Sequence, residues 1–96
     1  MIACVAMPLF VRTILITASQ ASVERAAEEH EQHLFDLRRR GKLHTAGRLG
    51  NGDGYLEIIE AADLLEADEI TRSSPLVELG LGSWTLREWV PLDSEA

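Results

Sequence analysis

All three histidines of the chain, His30, His33 and His44, lie on or just after a segment with the charge pattern of a helix surface. At 100° per residue, His30 is central in an apolar stripe. The other members of the stripe are Val23, Ala26, Ala27, Leu34 and Leu37. A neutral imidazole has one donor and one acceptor, so its burial without partners is costly. His30 is therefore either a hydrogen-bonded core residue or a general acid or base that faces a pocket.

The other two histidines give weaker signals. His33 lies on the margin of the stripe, about 60° from His30. His44 belongs to a predicted strand, and its face is left open by the alternation. His30, His33 and Asp36 spread over about 120° around the helix, and no other ligand motif accompanies them, so the sequence predicts no metal site. No glycine-rich loop opens a helix, and we expect no cofactor.

Four strands are predicted from runs of β-branched and aromatic residues. They cover residues 9–17, 42–49, 55–61 and 83–90. The second and third strands are joined by GNGDG, residues 50–54. Because Asn-Gly and Asp-Gly favour tight two-residue turns, this segment predicts a hairpin.

Two helices are predicted between these strands. The first runs to about Arg40 and ends at Gly41, and the second runs from Asp63 to about Arg72 and ends before Pro75. Residues 76–82 are expected to be a connector. The resulting order, βαββαβ, predicts an α+β, ferredoxin-like fold in which both helices cover one face of a four-stranded antiparallel sheet.

Large apolar residues occupy both faces of the predicted sheet. Leu56 and Ile58 oppose Tyr55 in the third strand, and Trp84 opposes Trp89 in the last strand. A solvated face would alternate to polar residues. We therefore expect a homodimer in which two copies pack sheet against sheet, as a dimeric α/β barrel.

Length and charge exclude several classes of protein. The 96 residues suit one domain, which we place at residues 8–92 between tails at 1–7 and 93–96. A net charge of −7 argues against nucleic-acid binding, which needs clustered cations. No segment approaches the ~20 apolar residues of a membrane span. A single cysteine, Cys4, and the lack of a convincing secretion signal predict a cytoplasmic protein.

The segment HEQHLFDLRRRGKLHTAGRL, residues 30–49, resembles the YCII-related family. The matching positions are His30, Leu34, Leu37, Gly41, Leu43, Ala46, Gly47 and Leu49. SPLVELGL, residues 74–81, is similar to the family's Asp-Pro-Phe-Val-x-x-Gly-Leu segment. The resemblance covers residues 7–89 and implies ferredoxin-like dimers with a pocket built around a His and an Asp. It also implies, for some members, activity on chlorinated or hydroxylated aromatic degradation intermediates.

Two positions depart from the family pattern. The resemblance assigns the family histidine to His30, but the aspartate before proline is Ser74 here. Serine lacks the negative charge that would orient a histidine. Three alternatives follow: another carboxylate replaces the aspartate, the chemistry differs, or the chemistry has been lost. The proline of the Ala-Gly-Pro turn is Arg48, which would suit an anionic ligand such as a carboxylate or enolate if it faces the pocket. Otherwise Arg48 is a solvated strand-end residue.

Two functions of different class remain. The first is a small-molecule enzyme of the isomerase, lyase or dehydrohalogenase type, acting on a small cyclic metabolite. His30 would transfer a proton and Ser74 would offer a hydrogen bond, with Arg48, His44 and His33 as substrate-binding candidates. The alternative is a non-catalytic small-ligand-binding or assembly domain. An open cavity beside His30 would favour the enzyme, and a sealed imidazole bonded to a carbonyl would rule out the catalytic hypothesis.

Overall fold

The computed structural model describes residues 7–92, so Cys4 and the predicted tails, apart from Met7, lie outside the described residues. The elements are β1 (Leu9–Ile16), α1 (Gln20–Arg39), β2 (Leu43–Arg48), β3 (Gly54–Glu60), α2 (Leu64–Arg72), α3 (Pro75–Glu78) and β4 (Gly82–Trp89). The strands form one antiparallel sheet in the order β2-β3-β1-β4. The ferredoxin-like α+β prediction is confirmed.

Local chemistry explains most of the helix boundaries. Gly41 follows α1 with a φ of +74°, a left-handed conformation that favours glycine and ends the helix. Asp63 caps α2, since its side chain accepts a hydrogen bond from the Glu66 amide at 2.9 Å. The Glu66 side chain in turn accepts from the Ala62 amide at 2.6 Å. This reciprocal arrangement resembles the predicted capping box, although Glu66 reaches one residue further back than usual.

The helix α3 departs from the predicted connector. Pro75 stands at its first turn, where a fixed φ and a missing amide proton carry little cost. Leu76 is fully buried and holds this turn against the core. Four residues are too few to display a helical period, which is why the sequence pattern did not reveal α3.

The helices cover one face of the sheet. On β1 this face carries Phe10, Arg12 and Ile14, all buried. The buried apolar residues form one cluster, comprising Phe10, Ile14, Val23, Ala26, Leu34, Leu37, Leu43, Tyr55, Ile59, Ala61, Ala67 and Leu76. Among them, Leu34 and Leu37 come from the predicted stripe of α1, so the helical phase inferred around His30 is correct.

The opposite face of the sheet is open and partly apolar. It carries Leu9, Val11, Leu15, Leu56, Ile58 and Trp89, as the strand registers and their alternation dictate. Leu56 is 41% exposed and Trp89 is 40% exposed. Trp84 lies on the helix face instead, under the Arg72 guanidinium. Large apolar groups therefore occupy both faces, as the sequence indicated. Over residues 7–92, no helix has both the length and the apolar character to cross a membrane.

Candidate active site

A chain of three fully buried polar side chains crosses the core. Arg12 on β1 and Glu57 on β3 are cross-strand partners, so they lie side by side on the helix face of the sheet. The Arg12 guanidinium donates to Glu57 Oε1. His30 reaches down from α1, and its Nε2 lies 2.5 Å from Glu57 Oε2. Side chains from two other elements, β1 and α1, thus meet at the carboxylate that β3 carries.

Glu57 remains ionised although it is buried. Burial pushes the pKa of Glu57 upward, but the hydrogen bond from His30 and the positive charge of Arg12 together hold this pKa below its ordinary value. Removing charges from water costs several kcal/mol per ion, and an uncompensated buried charge is strongly destabilising. Arg12 and Glu57 therefore compensate each other. Thr71 on α2 adds a long contact of 3.4 Å to the Arg12 guanidinium.

Glu57 fixes the orientation of the His30 ring. An ionised carboxylate only accepts hydrogen bonds, so His30 Nε2 carries the proton of that bond. In the neutral ring, Nδ1 then holds the lone pair. His30 Nδ1 is buried and finds no hydrogen-bond partner within residues 7–92. A base nitrogen whose opposite nitrogen is held by a carboxylate is the arrangement used by histidine general bases.

Two aromatic rings flank His30. The Tyr55 ring lies with its centroid 4.7 Å from that of His30, in a tilted arrangement. The His33 ring stacks on the His30 ring, with their centroids 5.8 Å apart. Burial, aided by the nearby positive charge of Arg12, lowers the pKa of His33 to about 4. His33 is therefore neutral at physiological pH.

Two open hollows lie beside this cluster on the helix side of the sheet. One, of about 190 Å³, lies between α1 and β2 and is lined by Leu34 and Leu43 among others. The other, of about 530 Å³, lies near the turn between β2 and β3. Glu31, Arg48 and Tyr55 line both hollows. His30 lines neither hollow, whereas Tyr55, whose ring contacts His30, lines both.

The three shared lining residues form a second polar cluster. Arg48 on β2 donates to both carboxylate oxygens of Glu31 on α1 at 2.8–3.0 Å. The Tyr55 hydroxyl donates to Glu31 Oε2 at 2.9 Å. The hydrogen bonds from Arg48 lower the pKa of Glu31 despite some burial. Burial and the bond to Glu31 raise the pKa of Tyr55 to about 12, so the phenol stays neutral.

The structure brings together some of the predicted site residues. His30 and His33 are in ring contact, and Arg48 is connected to His30 through Glu31 and Tyr55. His44 is exposed, and its Nδ1 lies 3.8 Å from a Glu60 carboxylate oxygen, away from the His30 ring. The Ser74 hydroxyl is buried and donates to the Thr71 carbonyl at 2.9 Å rather than to the imidazole. The assigned roles of all five residues stay predictions. In the described part of the chain, no group of three or more His, Cys, Asp or Glu side chains is arranged to hold a metal.

The sequence interpretation missed Arg12, Glu57, Glu31 and Tyr55 as site residues. A signal for the first two was present. Arg12 alternates in phase with Phe10 and Ile14, and Glu57 with Tyr55 and Ile59, so each charge belongs to a buried strand face. Opposite charges on the same face of neighbouring strands predict a buried pair. The cluster around Glu31 gave no comparable signal, because it depends on how α1 lies over β2.

The family model of the YCII-related domain matches residues 10–91. The chain belongs to the YCII-related family. The resemblance inferred from residues 30–49 and 74–81 is thereby confirmed. The carboxylate beside the α1 histidine is Glu57 on β3, while Ser74 stands where the resemblance implied an aspartate.

A solved structure of similar fold supports the architecture. It is 5-chloro-2-hydroxyhydroquinone dehydrochlorinase from Burkholderia phenoliruptrix AC1100, in complex with 2,5-dihydroxybenzoquinone. The TM-score is 0.71 at 18% identity, over 85% of this chain and 93% of that chain. No curated protein sequence matches this chain closely enough to count as a relative. At this level of identity, the structural likeness establishes the fold.

The buried ion pair predicts a specific pattern of stability changes. Glu57→Leu should lower the free energy of unfolding by about 3–5 kcal/mol, because it leaves Arg12 charged and unpaired in the core. The double variant Arg12→Met with Glu57→Leu should recover most of that loss, since both charges are then replaced by apolar groups. Urea unfolding monitored by circular dichroism measures both. Equal losses in the single and double variants would contradict the coupling.

His33 predicts a loss of stability in mild acid. The unfolded chain binds a proton at this residue near the ordinary histidine pKa of 6.5, whereas the folded chain does so only near pH 4. The contribution of His33 is therefore intact above pH 6.5 and is lost as the pH falls from 6.5 to 4. Because the ring is partly solvated, the loss should not exceed about 2 kcal/mol.

The variant His33→Gln should flatten the dependence of unfolding free energy on pH in this window. The matched control is His44→Gln, which removes an exposed imidazole beside Glu60. It should keep the wild-type profile. Urea unfolding at half-unit pH steps measures the slope, and an unchanged slope in His33→Gln would rule out this assignment.

Proposed function

We propose that this YCII-related chain is a small-molecule enzyme that uses His30 for proton transfer in an elimination or isomerisation on a small cyclic metabolite. The observation that carries the proposal is the buried chain of Arg12, Glu57 and His30. Well-packed apolar residues in place of a buried charge network often preserve or increase stability. Stability therefore does not require this buried charge network. Acid–base chemistry does explain it, because the paired charges hold the histidine in one tautomer.

The proposed step needs no external oxidant or reductant. His30 Nδ1 takes a proton from the substrate, and the positive charge that develops on the ring is stabilised by Glu57 through Nε2. In an elimination, the electron pair of the broken bond to hydrogen forms the new double bond, and a halide leaves with its own bonding pair. In an isomerisation, His30 returns the proton to another carbon. We propose no cofactor for either reaction.

Arg48 and the fold guide the choice of substrate. Arg48 donors border both hollows and suit a carboxylate, enolate or phenolate oxygen. The similar fold of a dehydrochlorinase bound to a dihydroxybenzoquinone makes chlorinated hydroxyquinols the first candidates. His33 borders the ring of His30, and we retain it as a substrate-binding candidate. His44 and Ser74 are retained with less support, since their contacts are with Glu60 and a backbone carbonyl.

A second candidate is a non-catalytic small-ligand-binding domain. The observation that favours it is the complete burial of His30, which lines neither hollow. However, the His30 ring is bonded to a carboxylate and not to a carbonyl, and its neighbour Tyr55 lines both hollows. We propose that the Tyr55 ring moves aside for catalysis. The two candidates therefore differ in whether His30 affects turnover or only stability.

We also propose a homodimer formed through the open sheet face, in a cytoplasmic protein that binds neither nucleic acid nor membrane. Leu56 and Trp89 would lie at this contact, because both are partly exposed apolar residues on that face. Burying them between two copies would remove a large apolar patch from water. The hollows lie on the other side of the sheet, so this dimer leaves them accessible.

The catalytic proposal predicts loss of turnover in two variants. His30→Gln and Glu57→Gln should each lower kcat for chloride release from 5-chloro-2-hydroxyhydroquinone by about 100-fold or more, because each removes the oriented base. Ser74→Ala separates the two carboxylate candidates. If Glu57 serves the histidine, this variant should lose less than about threefold, consistent with a hydroxyl that bonds a backbone carbonyl.

Circular dichroism and thermal unfolding must show that the variants are folded. The enzyme proposal fails if the wild type binds such ring compounds but converts none of a panel of chlorinated and hydroxylated rings. It also fails if His30→Gln keeps wild-type turnover while losing only stability. Either result would favour the binding domain.

The dimer proposal predicts that the wild type scatters light with twice the 10.6 kDa mass of one chain. Leu56→Glu should be a folded monomer, because it places a charge within the apolar contact. The control is Leu65→Glu, which changes a 67% exposed leucine on α2 and should leave the dimer intact. A monomeric wild type at micromolar concentration, or a dimeric Leu56→Glu variant, would refute the proposed interface.

A further inference from the structure

The ion pair between Glu31 and Arg48 occupies the wall shared by the two hollows. Glu31 Oε2 accepts from Arg48 and from Tyr55, while Oε1 accepts a second bond from Arg48. The planar fork of the guanidinium is therefore already filled by a carboxylate. A ligand with an anionic group that enters either hollow meets Arg48 only in competition with Glu31.

Displacing Glu31 from Arg48 costs little free energy, because water reaches both side chains of this ion pair. The Arg48 side chain is 69% exposed and the Glu31 side chain is 32% exposed. Exposed ion pairs contribute little to stability, since water and salt screen both charges. A carboxylate or phenolate of a ligand can take the position of the Glu31 carboxylate with similar geometry, while Glu31 turns to solvent on the surface of α1.

The exchange also affects Tyr55. Its hydroxyl donates to Glu31, and its ring lies against His30. When Glu31 leaves, the phenol loses its acceptor and can donate to the ligand anion instead. The Tyr55 ring contacts His30 and lines both hollows, so a change in its position would alter the surroundings of the imidazole on that side.

We infer that Glu31 is a specificity-determining residue: it occupies Arg48 in the free protein, yields that position to the anionic group of the ligand, and releases Tyr55 from its position against the His30 ring. The inference rests on the proposed function in that it concerns the same ligand site. It names the ligand class as small cyclic compounds with a carboxylate, enolate or phenolate oxygen. Neutral rings would leave the pair between Glu31 and Arg48 in place.

The test uses binding alone, with two probes that differ in charge. Benzoate and benzamide have the same ring and nearly the same shape, and the smaller hollow, at about 190 Å³, has room for one such ring. NMR titration gives their dissociation constants, and the signals of Tyr55, the one tyrosine in the chain, report on its surroundings. The key variant is Glu31→Gln. Its matched control is Glu28→Gln, which removes an equal charge from an exposed position of α1.

Glu31→Gln should tighten benzoate binding about fivefold relative to Glu28→Gln. This factor corresponds to the free energy of one exposed ion pair, which benzoate no longer has to break. Benzamide should change by less than about twofold in both variants. Arg48→Gln should abolish the preference for benzoate over benzamide. Benzoate, but not benzamide, should shift the Tyr55 ring signals of the wild type.

The inference is overturned if Glu31→Gln binds benzoate no better than Glu28→Gln does. It is also overturned if benzoate binds saturably to neither the wild type nor Glu31→Gln, or if benzamide gains as much as benzoate. None of these measurements requires turnover. An inactive wild type with the expected binding pattern would refute the proposed catalysis and leave this inference standing.

Discussion

Glu57 is the residue on which the rest of the site depends. Its carboxylate is fully buried and lies between the Arg12 guanidinium and the His30 imidazole. A buried carboxylate without such partners would be protonated or would destabilise the fold. The pairing of β1 with β3 therefore has to keep Arg12 opposite Glu57, and α1 has to lie with His30 directly above. The geometry of the site and the packing of the core are one constraint.

Burial separates two polar clusters into different roles. The inner chain of Arg12, Glu57 and His30 is fully buried, so its electrostatic interactions are strong and its geometry is fixed. The outer pair of Glu31 and Arg48 is partly solvated, so its charges are screened more than those of the inner chain, and we propose that it exchanges with a ligand. Tyr55 touches both, through its ring on one side and its hydroxyl on the other. In the proposed function, His30 would be a rigid base and the pair of Glu31 and Arg48 an exchangeable wall, which would combine preorganisation with access.

The sequence was sufficient for the fold and for His30 because both follow from local periods. The stripe of α1 repeats every 3.6 residues, so the burial of His30 could be read without any other element. Its partner could not be read in the same way. Glu57 lies 27 residues from His30 and 45 from Arg12, and their meeting depends on strand register and on the height of α1 above the sheet. Strand parity alone would have indicated that Arg12 and Glu57 face inward.

The contacts of Ser74 and Glu57 show which residue supplies the carboxylate beside His30. The family resemblance placed a carboxylate there, and three outcomes were open for a chain with serine at that position. The structure places a carboxylate beside His30 from a different element, β3, while the Ser74 hydroxyl satisfies a backbone carbonyl where α2 ends. A carboxylate bonded to one ring nitrogen fixes the tautomer of a histidine base. The effect is the same whichever element of the fold carries that carboxylate. Arg12 follows from this arrangement, because a carboxylate in the middle of β3, away from the helix ends, needs a cation from the adjacent strand.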